Sequence, residues 1–407
     1  MSDIKPTTES ERLEVLDALR GFALFGILFA NLYSFIGYNT YSPDEVKFLP
    51  IMDRVMLFFI DWFIEGKFYS IFSILFGVGF ALQAERFKSR NANFIAYWFK
   101  RMIVLCCFGL LHMYFIWNGD ILTLYSLLGM LLPLFINTSN KALIKWILVM
   151  LAAPILMHTL LYFTPDWTFW GSLSRISQDL KAQWGFGDLT LLEMRTSDSA
   201  LEVFSVNIIY AIPRAMSYLM FGRYFHVTGL FLIGLLLARI WLPRIRRKSI
   251  STPKAAIWLG VLGLVTHIGY AVVKSKYGWA SGFSETGFLL GMIYHVGATA
   301  FALGICMVFL NLWASGKAKT TYANLAILGR MALSNYIFQN VTAVLLFFGY
   351  GLALMRKVPF ASLPLFAFGI LVTQWLISRF WLKEFKQGPL EYIWKKLTYT
   401  GSRTANN

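Results

Sequence analysis

Few residues of this chain can do chemistry, and they stand out against apolar surroundings. In "FGLLHMYFIWNGDIL", residues 108–122, His112 and Asp120 interrupt a run of aliphatic and aromatic side chains. Asn118-Gly119 is a strong turn signal, so the two residues approach each other from the two legs of a hairpin. A His held by an Asp is the common arrangement of a general base. A structural reading stands beside the catalytic one. Asp120 caps the helix that follows the turn, and His112 bonds a neighbouring helix.

A second group lies in "IMDRVMLFFIDWFIEGKFYS". Asp53, Asp61 and Glu65 follow one another at spacings of eight and four, which places them along one stripe of a helix. Two carboxylates one turn apart in lipid repel if both ionise. Either one is protonated or each finds a cation. Lys67, two residues beyond Glu65, points elsewhere. The competing expectation is a solvated outer stretch, with the true span starting near Lys67. A third group is "LGRMALSNYIFQN", with Arg330, Ser334, Asn335, Gln339 and Asn340. So many polar groups in one span line a polar cavity or tie helices together. In "LDALRGFALFGILFANLYSF", Asp17 and Arg20 are three apart and can pair near one membrane surface, and Asn31 lies deeper. His158, His226, His267 and His295 have no metal-ligand spacing, so no metal is expected.

These residues must be positioned by membrane helices. The 407-residue chain is 57% hydrophobic, 17% aromatic and only 14% charged, against about 25% charged in soluble domains. Its apolar runs read as ten spans: 18–38, 55–82, 101–117, 121–136, 143–163, 218–241, 255–273, 287–311, 325–349 and 361–382. A bilayer core needs about 20 helical residues. The expected fold is an all-α polytopic membrane protein with both termini cytoplasmic.

The net charge of +16 follows the same topology. Basic residues gather in alternate loops, including Arg86, Lys88, Arg90 and Lys100, then Arg244 to Lys248, then the tail to Arg403. This is the positive-inside pattern of a membrane protein, not a nucleic-acid surface. The opposite loops hold fewer, among them Arg195, Lys274 and Arg356. The first apolar run has no small-residue cleavage site and reads as an uncleaved anchor. Cys106, Cys107 and Cys306 lie inside spans, so no disulfide framework is expected.

Four regions follow. Residues 1–163 form an N-terminal membrane bundle of five spans. Residues 164–217 form an outer, aromatic-rich loop containing Trp167, in which 201–217 lies at the interface or begins the sixth span. Residues 218–383 form a C-terminal bundle of five spans. Residues 384–407 form a cytoplasmic tail with an amphipathic helix after Gly388-Pro389.

Four motifs in order, "RLEVLDALRGFALFGILFANLYSF", "GKFYSIFSILFGVGFAL", "FGLLHMYFIWNGDIL" and "LGRMALSNYIFQN…WLKEFKQGPLEYIWKKLTY", resemble the YeiB family of bacterial inner-membrane proteins. The C-terminal half of that family is known as domain of unknown function 418. The "LDALRGFA" opening is also similar to transmembrane acyltransferases of the heparan glucosaminide acetyltransferase group and to bacterial polysaccharide O-acyltransferases. That resemblance implies transfer of an acyl group from a cytoplasmic thioester to a sugar outside. The heparan group carries its catalytic His in the loop after the first span. Here that loop, "GYNTYSPDEVKFLP", has none, so His112 with Asp120 must supply the base.

On this reading Arg20, Arg101 and Arg330 meet the donor's phosphates. Asn31, Asp61, Glu65, Asn335 and Gln339 contact the acceptor, a glycan or small hydroxylated molecule. Acyl-coenzyme A is a co-substrate, and no bound cofactor or metal is expected. Two other readings remain open. One is a transporter of a small organic solute, although neither an inverted repeat nor paired broken helices is evident. The other is a non-catalytic membrane partner protein.

Overall fold

Hydrocarbon offers the backbone no hydrogen-bond partners, so an apolar segment crosses it as a helix. The computed structural model describes residues 12–89, 93–164, 168–247, 250, 254–277 and 284–399. Arg90, Trp167, Lys248, Arg403 and residues 1–11 lie outside the described residues.

The helices run in the order α1 (Glu14–Phe35), α2 (Pro43–Lys47), α3 (Ile51–Phe59), α4 (Lys67–Ser89), α5 (Phe94–Phe115), α6 (Leu122–Gly129), α7 (Asn140–Phe163), α8 (Thr168–Gln183) and α9 (Leu191–Thr196). Then follow α10 (Ala200–Ile209), α11 (Ala211–Met220), α12 (Arg223–Arg246), α13 (Lys254–Tyr277), α14 (Glu285–Ala314), α15 (Lys319–Arg330), α16 (Ala332–Phe347), α17 (Leu363–Glu384) and α18 (Pro389–Tyr399). Among the described residues, nine helical segments are long and apolar enough to cross a membrane, and no strand occurs. The chain is an all-α polytopic membrane protein.

Several expected spans differ in detail. The segment 121–136 is not one span. It holds the eight-residue α6, then a 3-10 turn at Leu132–Phe135 containing Pro133. Residues 200–220 are helical as α10 and α11, and Gly222 (φ +67°) turns the chain into α12. Close contact with Pro154 of α7 leaves no room for a Cβ at Gly222.

Two other spans are broken, contrary to the expectation from sequence. The second span runs through α3 and a π-helical turn, Ile60–Ile64. Glu65 is then extended (ψ 128°), Gly66 takes a left-handed conformation (φ +88°), and α4 starts at Lys67. The span 325–349 divides at Met331 (φ −116°, ψ 33°) into α15 and α16. Neither break carries a proline, the residue that most often announces one, and a lone Gly or Met gives little warning.

Close packing sets the frame. α1 lies along α15, α4 along α12, and α13 along α14, so early and late helices share one buried core. Small residues permit this approach. A Cβ built on Gly21 would meet the Leu325 carbonyl, and one on Gly329 would meet the Asp17 carbonyl. Backbone cannot yield as a flexible side chain can. Gly329→Ala is therefore expected to lower stability by about 1–3 kcal/mol through overpacking, measured by unfolding in mixed micelles. An unchanged midpoint would mean that α1 and α15 are not in this register.

Candidate functional site

The His–Asp hairpin forms as its sequence suggests. α5 ends at Phe115 and carries His112 one turn earlier. Asp120 follows the turn and caps α6. Its Oδ1 accepts from the Leu122 N–H (3.0 Å) and its Oδ2 from the Thr123 N–H (2.6 Å). His112 and Asp120 are both buried, and His112 Nδ1 lies 3.2 Å from Asp120 Oδ1. That approach is off-line for a hydrogen bond, and neither ring nitrogen makes one. The imidazole packs 5.2 Å, centroid to centroid, from Tyr336 of α16. Asp120 is thus a cap and also the anion beside the imidazole. The two readings of the sequence coexist.

Arg195 and Asn207 hold this turn in place. Arg195 donates to Asn118 Oδ1 at 3.1 Å. The Asn118 N–H donates to Asn207 Oδ1 at 3.1 Å, and Asn207 Nδ2 donates to the Tyr114 carbonyl at 3.3 Å. Arg195 is 4% exposed. It is a buried clamp from α9, not the solvated loop charge expected.

A second cluster surrounds the break between α3 and α4. Asp61 is buried, so the expectation of a solvated stretch fails here. Lys274 Nζ of α13 donates to Asp61 Oδ1 at 2.6 Å and to Glu65 Oε2 at 2.9 Å. Lys67 does not point away from the group. Its Nζ donates to the Asp61 carbonyl at 2.9 Å and meets His267 Nδ1 at 2.6 Å. His267 Nε2 lies 3.3 Å from the Tyr294 carbonyl. The partners fix the tautomer: Nε2 carries the proton and Nδ1 accepts from the ammonium. Rings of Tyr33, Tyr38 and Tyr270 stand 5.5–5.7 Å from Lys274 Nζ, within cation–π range.

Two carboxylates and two ammoniums therefore balance inside the bundle. Each would cost several kcal/mol if left unpaired there. By sequence Lys274 reads as a loop charge, because the apolar run closes at 273. Periodicity is the signal that places it inside: His267, Tyr270 and Lys274 recur at i, i+3 and i+7, one face of α13.

The remaining candidates are separate. Asn335 Nδ2 donates to the Leu328 carbonyl (3.0 Å) and to Ser378 Oγ (3.1 Å). Gln339 Nε2 donates to Gln374 Oε1 at 2.9 Å. These amides tie α16 to α17. Asn31 Nδ2 donates to Asn340 Oδ1 at 3.1 Å and ties α1 to α16. Residues 31–33 of α1 therefore link the two clusters, through Asn31 to the helix bearing Tyr336 and through Tyr33 to Lys274.

The three arginines do not form one cradle in this arrangement. Arg20 pairs with Asp17 at 2.6 Å, and Arg12 also reaches Asp17, at 3.1 Å. The Arg101 guanidinium lies 3.6 Å over the Trp394 ring. Arg330 Nη2 donates to the Lys386 carbonyl at 3.3 Å. The tail helix α18 packs on the bundle here. Trp394 Nε1 donates to the Arg101 carbonyl at 2.9 Å, and Glu391 accepts from the Leu333 N–H (2.7 Å) and Ser334 N–H (3.1 Å) at the start of α16. Tyr392, Ile393 and Leu397 are left exposed. Among the described residues, no group of three or more His, Cys, Asp or Glu is placed to hold a metal ion.

Residues 239–401 match the family described as protein of unknown function DUF418. The chain is 29% identical over 415 residues to the uncharacterised protein YxaH of Bacillus subtilis, covering 98% of this chain and 97% of the relative. It is 25% identical over 401 residues to the uncharacterised protein YeiB of Escherichia coli, covering 95% and 96%. Over nearly its whole length the chain is similar to YeiB-like proteins. The DUF418 match begins within α12 and takes in Lys274, Arg330, Asn335 and Gln339, whereas His112, Asp120, Asp61 and Glu65 precede it. The alignments to the YeiB-like relatives span both parts. No solved structure matches.

At the end of the bundle where α1 finishes, Arg356 (φ +59°) donates to Glu45 Oε1 at 2.5 Å and stacks on Tyr41. The Arg356 hydrogen bond, with the Ser42 N–H, holds the Glu45 carboxyl down from the usual 4.5 to about 2. A depressed carboxyl contributes stability that is present above its unfolded value and is lost as pH falls through its folded value. Melting curves of the wild type should therefore lose an increment between pH 4.5 and about 2, and Glu45→Gln should remove that increment.

Proposed function

We propose that this protein is an acyltransferase of the bacterial inner membrane. It takes an acyl group from a cytoplasmic thioester, acyl-coenzyme A, and passes it to an extracytoplasmic glycan or small hydroxylated acceptor. The observation that carries this reading is His112: a buried imidazole beside the Asp120 carboxylate, with Nε2 making no hydrogen bond.

The chemistry follows from that arrangement. Nε2 takes the acceptor's hydroxyl proton as its oxygen attacks the thioester carbonyl. The carbon–sulfur bond then breaks, and the leaving thiolate takes the proton from the imidazolium. Asp120 steadies the imidazolium between the two steps. Removing such a base typically costs about 10²–10⁴ in rate.

Arg20, Arg101 and Arg330 supply charge for the donor's phosphates, on the side where both termini lie. Asn31, Asp61, Glu65, Asn335 and Gln339 contribute polar contacts along the acceptor's path. The reading requires no resident cofactor or metal. Its test is a thermal shift of the detergent-purified protein with an acyl-coenzyme A panel. Saturable stabilisation, lost in Arg101→Ala and Arg330→Ala, is expected. No stabilisation of folded wild type by any donor would remove the basis for this function.

A second reading, transport of a small organic solute, is favoured by one observation. Two spans that both pack on α1 are broken, and full charges gather at one break. Discontinuous helices at a central site are a recurrent feature of secondary transporters. Solute uptake into proteoliposomes would favour this reading, and its absence across a broad panel would weigh against it.

A further inference from the structure

The charged cluster at Gly66 takes no part in the proton transfer at His112, and its layout has a consequence of its own. Lys274 bonds to both ends of the π-helical turn, Asp61 within it and Glu65 just after it. Lys67, on the far side of the break, reaches back to the Asp61 carbonyl and across to His267, two turns below Lys274 on α13. One helix thus clasps both halves of a broken one with two lysine bridges.

The titratable groups facing the cluster are Tyr33 from α1, Tyr38 from the turn after it, His267 and Tyr270 from α13, Tyr294 from α14, and Lys67 and Tyr69 from the start of α4. The Tyr270 hydroxyl is buried beside Lys274 and makes no hydrogen bond. It is a spare polar group for whichever partner is released when the cluster rearranges. The two carboxylates are unequally enclosed. The Asp61 side chain is 6% exposed and the Glu65 side chain 25%. Glu65 is therefore on the more open side of the cluster.

We propose that the Asp61–Glu65–Lys274 cluster is a proton-exchange site, in which a carboxylate takes one proton from solvent, gives up its bond to Lys274, and opens the helix break at Gly66 on the Glu65 side. The charge count gives the direction. With both carboxylates ionised, both lysines charged and His267 neutral, the cluster sums to zero. One added proton neutralises a carboxylate and leaves an uncompensated ammonium in a medium where that is costly. Hydrating Lys274 relieves the cost, and hydration requires the break to open. Uptake of the proton and opening are therefore linked, and each favours the other. Gly66 supplies the conformational freedom at the hinge, and the π-helical turn supplies a backbone already short of regular α-helical bonding.

The test uses the full-length protein in lipid nanodiscs, with two readouts. Infrared difference spectra between mildly alkaline and mildly acidic pH should show a protonated-carboxyl band, lost in Asp61→Asn or Glu65→Gln. Amide exchange of residues 60–66, corrected for the intrinsic effect of pH, should become severalfold faster across the same titration. A wild-type spectrum without the band would overturn the proposal, as would a band unchanged in both variants. Exchange at 60–66 that does not change across the titration would also overturn it. If a variant fails to fold, the two wild-type readouts still decide. Neither depends on acyl transfer, so this site and the His112 reading stand or fall separately.

Discussion

Lys274→Met is expected to destabilise the protein by about 3–5 kcal/mol, the usual cost of removing one partner from a buried ion pair. The substitution keeps most of the side chain's length and apolar stem, so the loss is chiefly that of the ammonium. Asp61 and Glu65 then face each other with their shared partner gone. The compensating variant is Lys274→Met with Asp61→Asn and Glu65→Gln. It removes the stranded charges and should recover most of the loss, because well-packed neutral groups replace buried ion pairs at little cost. Unfolding midpoints in mixed micelles compare the two. A single variant as stable as wild type would mean that the cluster is hydrated rather than buried. A triple variant no better than the single would mean that Lys274 matters for packing and not for charge.

The second large effect is on activity. His112→Gln preserves volume and polarity but cannot shuttle a proton as imidazole does. On the acyl-transfer reading it lowers the rate by about 10²–10⁴ while the protein stays folded, since neither imidazole nitrogen makes a hydrogen bond in the wild type. Asp120→Ala behaves differently. It removes the carboxylate beside the imidazole and also the caps on Leu122 and Thr123, so it costs about 1 kcal/mol of stability as well as rate. Equal effects of the two substitutions on stability would contradict this separation of roles.

Much of this architecture is legible in the sequence. Long apolar runs force helices in hydrocarbon, and the Asn118-Gly119 turn brings His112 and Asp120 together. The failures have physical causes. Breaks at Gly66 and Met331 carry no proline, so hydropathy passes over them. Lys274 and Arg195 read as loop charges because one sits at the end of its apolar run and the other outside any. Their burial depends on partners far away in sequence, Asp61 and Glu65 for one and Asn118 for the other. The amides of α16 were visible as a group, but only the structure shows Asn335 and Gln339 turned toward α17. The face shared by His267, Tyr270 and Lys274 is legible in the sequence, but its last member lies one residue beyond the apolar run.

Transfer of a labelled acyl group from acyl-coenzyme A in sealed inside-out membrane vesicles tests the proposed chemistry most directly, with wild type beside His112→Gln. The account predicts labelled product inside the vesicles for wild type and near-background label for the variant at equal protein level. Full transfer by His112→Gln, or none from any acyl donor by folded wild type, would contradict it.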